Sequence, residues 1–369
     1  MGFPRPKHDT ADIVRAHRPA LEATHRLSRP QKRVLTAIAR CRTAALGGHL
    51  EVCACGFERP AYNSCRNRHC PKCQALAQEK WITARAARIL PVPHFHQVFT
   101  PPSELRPLAM RHPVEIYNAL FRAVSELLLE LGRTRLKAAL GLTMVLHTWT
   151  RELRFHPHIH VLVTAGGLAL DGTSFIHRGK YLFPVKVMGA LLRGKMLDAL
   201  RRLHRKGAFP ELDQAAFDRL MASLAAHKSW VVYSKAPFRR SKHVLSYLGR
   251  YTHRVGIANS RLVEVGEDHV TFRTKGGKTA TLHPVEFLHR FIQHVLPDGF
   301  HKIRHAGLYA DAKPGGSLEK ARALLPAARP ARKVDFAPLE APRHCPHCGG
   351  ILQCIPLTSL PRAPPQTAA

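Results

Sequence analysis

Negative charge is scarce in this sequence. Only 25 Asp and Glu stand against 57 Lys and Arg in 369 residues, leaving a net charge of +32. The basic residues recur along most of the length, and so wide an imbalance suits a polyanionic partner, nucleic acid before any other. Long apolar runs are missing as well. None reaches the roughly 18 residues a bilayer span needs, so no membrane partner is expected. The opening MGFPRPKHDT lacks the apolar stretch of a signal peptide, and Gly2 is not followed by Ser or Thr at position 6, as myristoylation would require. These absences predict a cytoplasmic, nucleoid-associated protein. No internal repeat is visible.

What remains is a globular composition, 45% hydrophobic, in a chain long enough for two or three domains. Nine cysteines would be unusual as disulfides in a cytosolic protein. They cluster instead, six between residues 41 and 73 and three between 345 and 354, as metal sites do.

Helical apolar spacing covers residues 11–46, and QALAQEKWITARAARIL reads as a further helix closed by prolines. The pattern then changes. HFHQVFT (94–100) is a strand, 113–137 a long amphipathic helix, and GLTMVLHTWTREL and RFHPHIHVLVTAGGL two adjacent strands joined by a short charged turn. A basic helix over 185–206, the strand SWVVYSKAP, the helix HVLSYLGRYTHRVG, a set of short hairpin strands and the helix VEFLHRFIQHVL follow. Beyond about 311 the chain reads as an Ala-, Pro-, Arg- and Lys-rich linker leading to a small cysteine cluster and a disordered tail. The fold class is α+β, an antiparallel sheet with helices on one face.

In CACGFERPAYNSCRNRHCPKCQ the CPKC turn is a zinc knuckle, with Cys70 and Cys73 spaced to reach one ion. A second pair must complete the tetrahedron, and Cys53 with Cys55 is the nearest. Cys41, His49, Cys65 and His69 remain as further ligand choices, for this zinc or for a second one. Arg66 and Arg68, beside the knuckle, offer guanidinium groups to phosphate, or else belong to a solvated loop. Cys345, Cys348 and Cys354 form half a ribbon, with His344 or His347 as a possible further ligand.

The strand RFHPHIHVLV places His156, His158 and His160 on one face, because successive side chains alternate. Two imidazoles at alternate positions can chelate a divalent ion and leave it open positions for a substrate oxygen. His147 on the preceding strand, or His94 and His96, could supply a third ligand or an orienting partner; His156 is expected to be peripheral. In YLGRYTHR, Tyr247 and Tyr251 stand four apart on one helical face beside Arg250 and Arg254. A phenol of pKa near 10 is a weak nucleophile until its target phosphate is polarised. The combination points to metal-assisted attack by tyrosine on a phosphodiester, forming a 5′-phosphotyrosine link that conserves the bond for rejoining.

These stretches, with CRTAALGGH before the cysteines, YNSCRNRHCPKCQ among them, HFHQVFTPP, LHTW and EFLHRFIQHVLPDGFHKIRHAGL, occur in an order that resembles the HUH-type tyrosine transposases of the insertion sequence 91 family. The likeness covers roughly residues 30–310. It implies a helical zinc-binding, DNA-binding region over 1–90, an HUH nuclease domain over 91–310, and a remaining segment 311–369. It places the family's histidine pair on His158 and His160 and its nucleophiles on Tyr247 and Tyr251. It also implies Mg2+ or Mn2+ at the histidines, structural Zn2+ at the cysteines, and rolling-circle-like transposition through single-stranded element ends and target DNA. A homodimer is compatible with this. One departure is the first cysteine pair, C-x-C where C-x-x-C is expected. The competing readings are a plasmid or phage replication initiator or relaxase, which shares the chemistry, and a non-catalytic zinc-dependent DNA-binding protein, which has no use for His158, His160, Tyr247 and Tyr251 together.

Overall fold

A computed structural model of the chain describes residues 7–86, 88–179, 181–238, 256–310, 313–326 and 343–357. At its centre lies an antiparallel sheet built from β3 (His94–Thr100), β4 (Ala138–Trp149), β5 (Phe155–Ala169), β7 (Val231–Phe238) and β11 (Ile303–Gly307), in the order β11-β4-β5-β3-β7. A short β6 (Phe175–His177) pairs with the end of β5.

Alternation along these strands sorts the side chains. Phe95 and Phe99 of β3, Leu142, Met144 and Leu146 of β4, and Ile159, Val161 and Val163 of β5 point to one face and join the largest core. Onto them pack α4 (Arg106–Arg111), α5 (Pro113–Leu131), α6 (Val185–Arg205) and α7 (Gln214–Ala226). Helix α5 starts on a proline and buries Leu120, Val124, Leu127, Leu128 and Leu131; each buried aliphatic chain contributes about 1.5–3 kcal/mol. The helix expected to reach 137 ends earlier. Residues Gly132–Leu136 widen into a π-helical turn, and Lys137 (φ 56°) takes the left-handed conformation that stops it.

The opposite face carries the histidines. Cross-strand partners share a face, and the register sets His147 opposite His158 and Val145 opposite His160. The β4–β5 register shifts between His147 and Trp149, beside Pro157, a residue with no N–H to give the ladder. Such shifts re-aim the flanking side chains. Farther along this face, α3 (Gln74–Ala86) lays Trp81, Ile82 and Ala86 over Val145 and Leu162.

A second core joins the beginning of the chain to a late segment. The region expected to be helical over 11–46 breaks into α1 (Thr10–Thr24) and α2 (Arg29–Arg40). These pack against β8 (Leu262–Val265), β9 (Val270–Arg273), β10 (Thr279–Leu282) and α8 (Pro284–Ile292). Asp9 caps α1 through the Ala11 amide, accepts a bond from Asn259 and pairs with Lys72 of the zinc knuckle. Chain segments on both sides of residue 90 therefore share one core.

Two features arise beyond residue 311, the first where the sequence reads as linker and the second in the small cysteine cluster that follows it. α9 (Ser317–Ala323) buries Leu318 and Ala321 against Leu90, Leu308 and Tyr309. β12 (Gln353–Pro356) pairs antiparallel with β1 (Gly48–Val52), whose other edge holds β2 (Glu58–Tyr62). No helix among the described residues is long and apolar enough to cross a membrane.

Candidate functional site

On the face away from the helices, His147, His158 and His160 bring one ring nitrogen each within 4.8 Å of one another. The hydrogen bonds around them fix the tautomer of His158 and the orientation of His160. His158 Nδ1 lies 2.6 Å from the His156 carbonyl; it must donate, so Nε2 carries the lone pair. His160 Nδ1 lies 2.8 Å from His96 Nε2, which leaves His160 Nε2 for the shared space. His147 is held by Trp149, whose ring stacks on it at 4.6 Å and 16°.

Burial keeps the His158 and His160 rings neutral. Desolvation pushes His158 down to about 4, the His156 carbonyl opposing it, and also lowers His96 to about 4. His160 falls well below the usual imidazole range, first by burial and then through His158 and His96. Neutral imidazole is the form that binds a metal. The donor set fits a divalent ion: three imidazoles lie together with no cation among them, His147 buried and His158 and His160 of intermediate exposure.

The other histidines take separate roles. His156 stays outside the trio, its Nδ1 accepting from Arg106 Nη2 at 3.0 Å. His94 is turned away, donating to the Val92 carbonyl and accepting from the Tyr309 hydroxyl at 2.6 Å. Sequence reading missed Tyr233 of edge strand β7. It pairs with Val98, which pairs with His160, so all three share a face, and Tyr233 is 53% exposed. Its signal was an aromatic residue directly after the two valines that open the strand. Tyr247, Tyr251, Arg250 and Arg254 lie outside the described residues.

The cysteines group differently from the expected set. Cys53 and Cys55 do not meet Cys70 and Cys73. The knuckle pair is joined by Cys41 and Cys65, with Cys41 Sγ 3.2 Å and Cys65 Sγ 3.6 Å from Cys73 Sγ. Cys53 and Cys55 gather instead with Cys345 and Cys348. Tetrahedral thiolates with Zn–S near 2.3 Å hold their sulfurs roughly 3.8 Å apart, close to these spacings. His49 joins neither group: it sits beside the buried Glu51 on β1. His344 and His347 are likewise outside, His344 Nδ1 donating to the Gly349 carbonyl and His347 packing on Phe57. Cys354 is exposed in β12.

The two arginines of the knuckle loop part company. Arg66 is exposed. Arg68, expected to reach phosphate, is half-buried and donates to the carbonyls of Phe300 (2.7 Å) and Pro297 (3.0 Å), so its guanidinium clamps the module to the loop before β11. His69 is no zinc ligand; its Nε2 accepts from the Leu296 amide at 3.3 Å.

Residues 13–101 match the family described as "Transposase zinc-binding domain", and residues 141–315 the family described as "Putative transposase". "Putative transposase y4qJ" of Sinorhizobium fredii is 40% identical over 369 residues, covering 92% of each chain. The "Transposase for insertion sequence element IS801" of Pseudomonas savastanoi pv. phaseolicola is 29% identical over 339 residues, covering 85% of this chain and 81% of its own. No solved structure matches.

Proposed function

The chain belongs to the insertion sequence 91 family of transposases, and from that premise we propose that it cuts and rejoins single-stranded DNA through tyrosine at the histidine face of its central sheet. The observation that carries this reading is the convergence of His147, His158 and His160 on one ion-sized space. A Mg2+ or Mn2+ ion held there would polarise the scissile phosphate. The chain's own residues do the rest. His158 and His160 present neutral Nε2 atoms, His96 holds the His160 ring in place, and Trp149 backs His147. Tyr247 or Tyr251 supplies the oxygen that takes the 5′-phosphate while the 3′-hydroxyl leaves; two nucleophiles let one strand stay covalently held while a second is cut. Tyr233 offers an exposed ring on which a base of the strand stacks.

The zinc-binding region is assigned one ion on Cys41, Cys65, Cys70 and Cys73, which together bind α2 to the knuckle. Net charge of +32 supports DNA as partner, and a cytoplasmic, nucleoid-associated location follows from that partner. The deciding experiment incubates the protein with single-stranded DNA of the element's end and Mn2+. A covalent protein–DNA adduct is expected from the wild type and from each single variant, Tyr247→Phe and Tyr251→Phe, with transposition in cells lost in both. The double variant should form none. Adduct formation by the double variant, or cleavage without any adduct, overturns the reading.

A further inference from the structure

The two cysteine pairs that remain after the knuckle site is assigned come from opposite parts of the chain. Cys53 and Cys55 occupy the tip between β1 and β2, where the Cys53 amide donates to the Phe57 carbonyl and the Gly56 amide to the Cys53 carbonyl. Cys345 and Cys348 occupy a second tip, closed by bonds from the Cys345 amide to the Gly350 carbonyl and from the Gly349 amide to the Cys345 carbonyl. The two tips face each other. Cys53 Sγ lies 3.4 Å from Cys348 Sγ, and Cys55 Sγ 3.7 Å from Cys345 Sγ. The His347 amide points at Cys345 Sγ, 3.4 Å away, as backbone amides do toward a thiolate.

We infer that Cys53, Cys55, Cys345 and Cys348 form a second zinc site, which fastens the segment 343–357 onto the hairpin of residues 48–62 and completes a zinc ribbon from two distant parts of the chain.

Three independent features support it. The four sulfurs lie within 4.8 Å of one another, and an all-thiolate tetrahedron selects zinc among common cellular ions. The ribbon has almost no core of its own: Cys53, Cys345 and Leu352 are buried with Phe57 partly covering them, while β12 is exposed throughout. So small a sheet needs a staple to hold its strands. The polar contacts already span the same junction. Glu51 on β1, fully buried, pairs with Arg59 of β2 and with Arg343 of the late segment, and β12 continues the sheet at Glu51↔Cys354 and Leu50↔Ile355. The spacing of the first pair also finds its reason. A C-x-C tip facing a C-x-x-C tip supplies four thiolates without borrowing from Cys70 and Cys73.

The site is independent of the histidine face, and its test is metal content. In a His158→Ala/His160→Ala background, which removes any ion from the sheet, the full-length protein should carry two zinc ions per chain by elemental analysis. Cys345→Ser/Cys348→Ser and Cys53→Ser/Cys55→Ser should each carry one. The quadruple variant should also carry one, because both pairs serve the same ion, and Cys354→Ser should keep two. Cys348→His, which preserves a ligand, should retain two and guards against loss through unfolding. A protease site placed within residues 331–340 gives a second readout: after cleavage the late fragment should stay bound and leave only when a chelator is added. One zinc in the parent, a disulfide between the pairs in thiol titration, or a fragment that leaves with zinc present would each overturn the assignment.

Discussion

His96 Nε2 stands 2.8 Å from His160 Nδ1, with the two rings nearly parallel. The contact fixes which nitrogen of His160 is left for an ion, so His96 acts as a positioning residue. Losing such an orienting partner weakens metal binding roughly 10–100-fold. His96→Ala should therefore raise the Mn2+ concentration needed for adduct formation by about that factor, and saturating Mn2+ should restore the rate. His160→Ala should not be rescued. A titration of adduct yield against Mn2+ separates the two.

A second expectation concerns acid. His94 is fully buried, bonded to Val92 and Tyr309, and burial lowers its pKa to about 4. The unfolded chain, with imidazole near 6.5, binds the proton that the folded chain refuses. Stability from this group is thus complete above pH 6.5 and declines as pH falls toward 4, by about 2 kcal/mol at pH 5. Urea unfolding at pH 7 and pH 5 measures the drop. His94→Gln, which cannot titrate there, should shrink it by that amount; an unchanged drop would contradict the placement.

Arg66 and Arg68 should respond oppositely. Arg68→Ala removes two bonds to backbone carbonyls across the module junction and should cost about 1–3 kcal/mol of stability, with the salt dependence of DNA binding unaltered. Arg66→Ala should leave stability unchanged. If Arg66 contacts phosphate, its removal lowers the slope of log affinity against log salt by about 0.7 on single-stranded DNA. Fluorescence anisotropy over a salt series reads both.

Tyr233→Ala should weaken single-stranded DNA binding by about 1–3 kcal/mol, the usual worth of one base stacked on an aromatic ring. Tyr233→Phe should bind normally, since the ring and not the hydroxyl is used. Equal affinity of the Ala variant would remove β7 from the DNA path.

The histidine site was largely legible because it is local. Alternation alone sets His158 and His160 on one face, and strand β3 runs over the expected residues His94–Thr100. His147 as their third member needed only the pairing of two neighbouring strands. The cysteine sets were not legible for the opposite reason. Spacing identifies pairs such as Cys70 with Cys73, but nothing in spacing says which pairs meet, and Cys55 meets a residue 290 positions away. Orientation was equally hidden at Arg68, whose sequence context is that of a phosphate ligand while its guanidinium faces inward. The helix over 317–323 was masked by its Ala-, Arg- and Lys-rich composition, because only Leu318 and Ala321 of it are buried.

The pairing of β1 with β12 also sets an order of manufacture. Synthesis at about 5–20 residues per second leaves the β1 edge and the thiols of Cys53 and Cys55 waiting roughly 15–60 s for their partners to emerge. Until then an open strand edge, ready to pair with another chain, and two unshielded sulfurs are what the growing protein shows. A message cut short before codon 343 therefore leaves its damage at the other end of the protein, in the first sheet that was made.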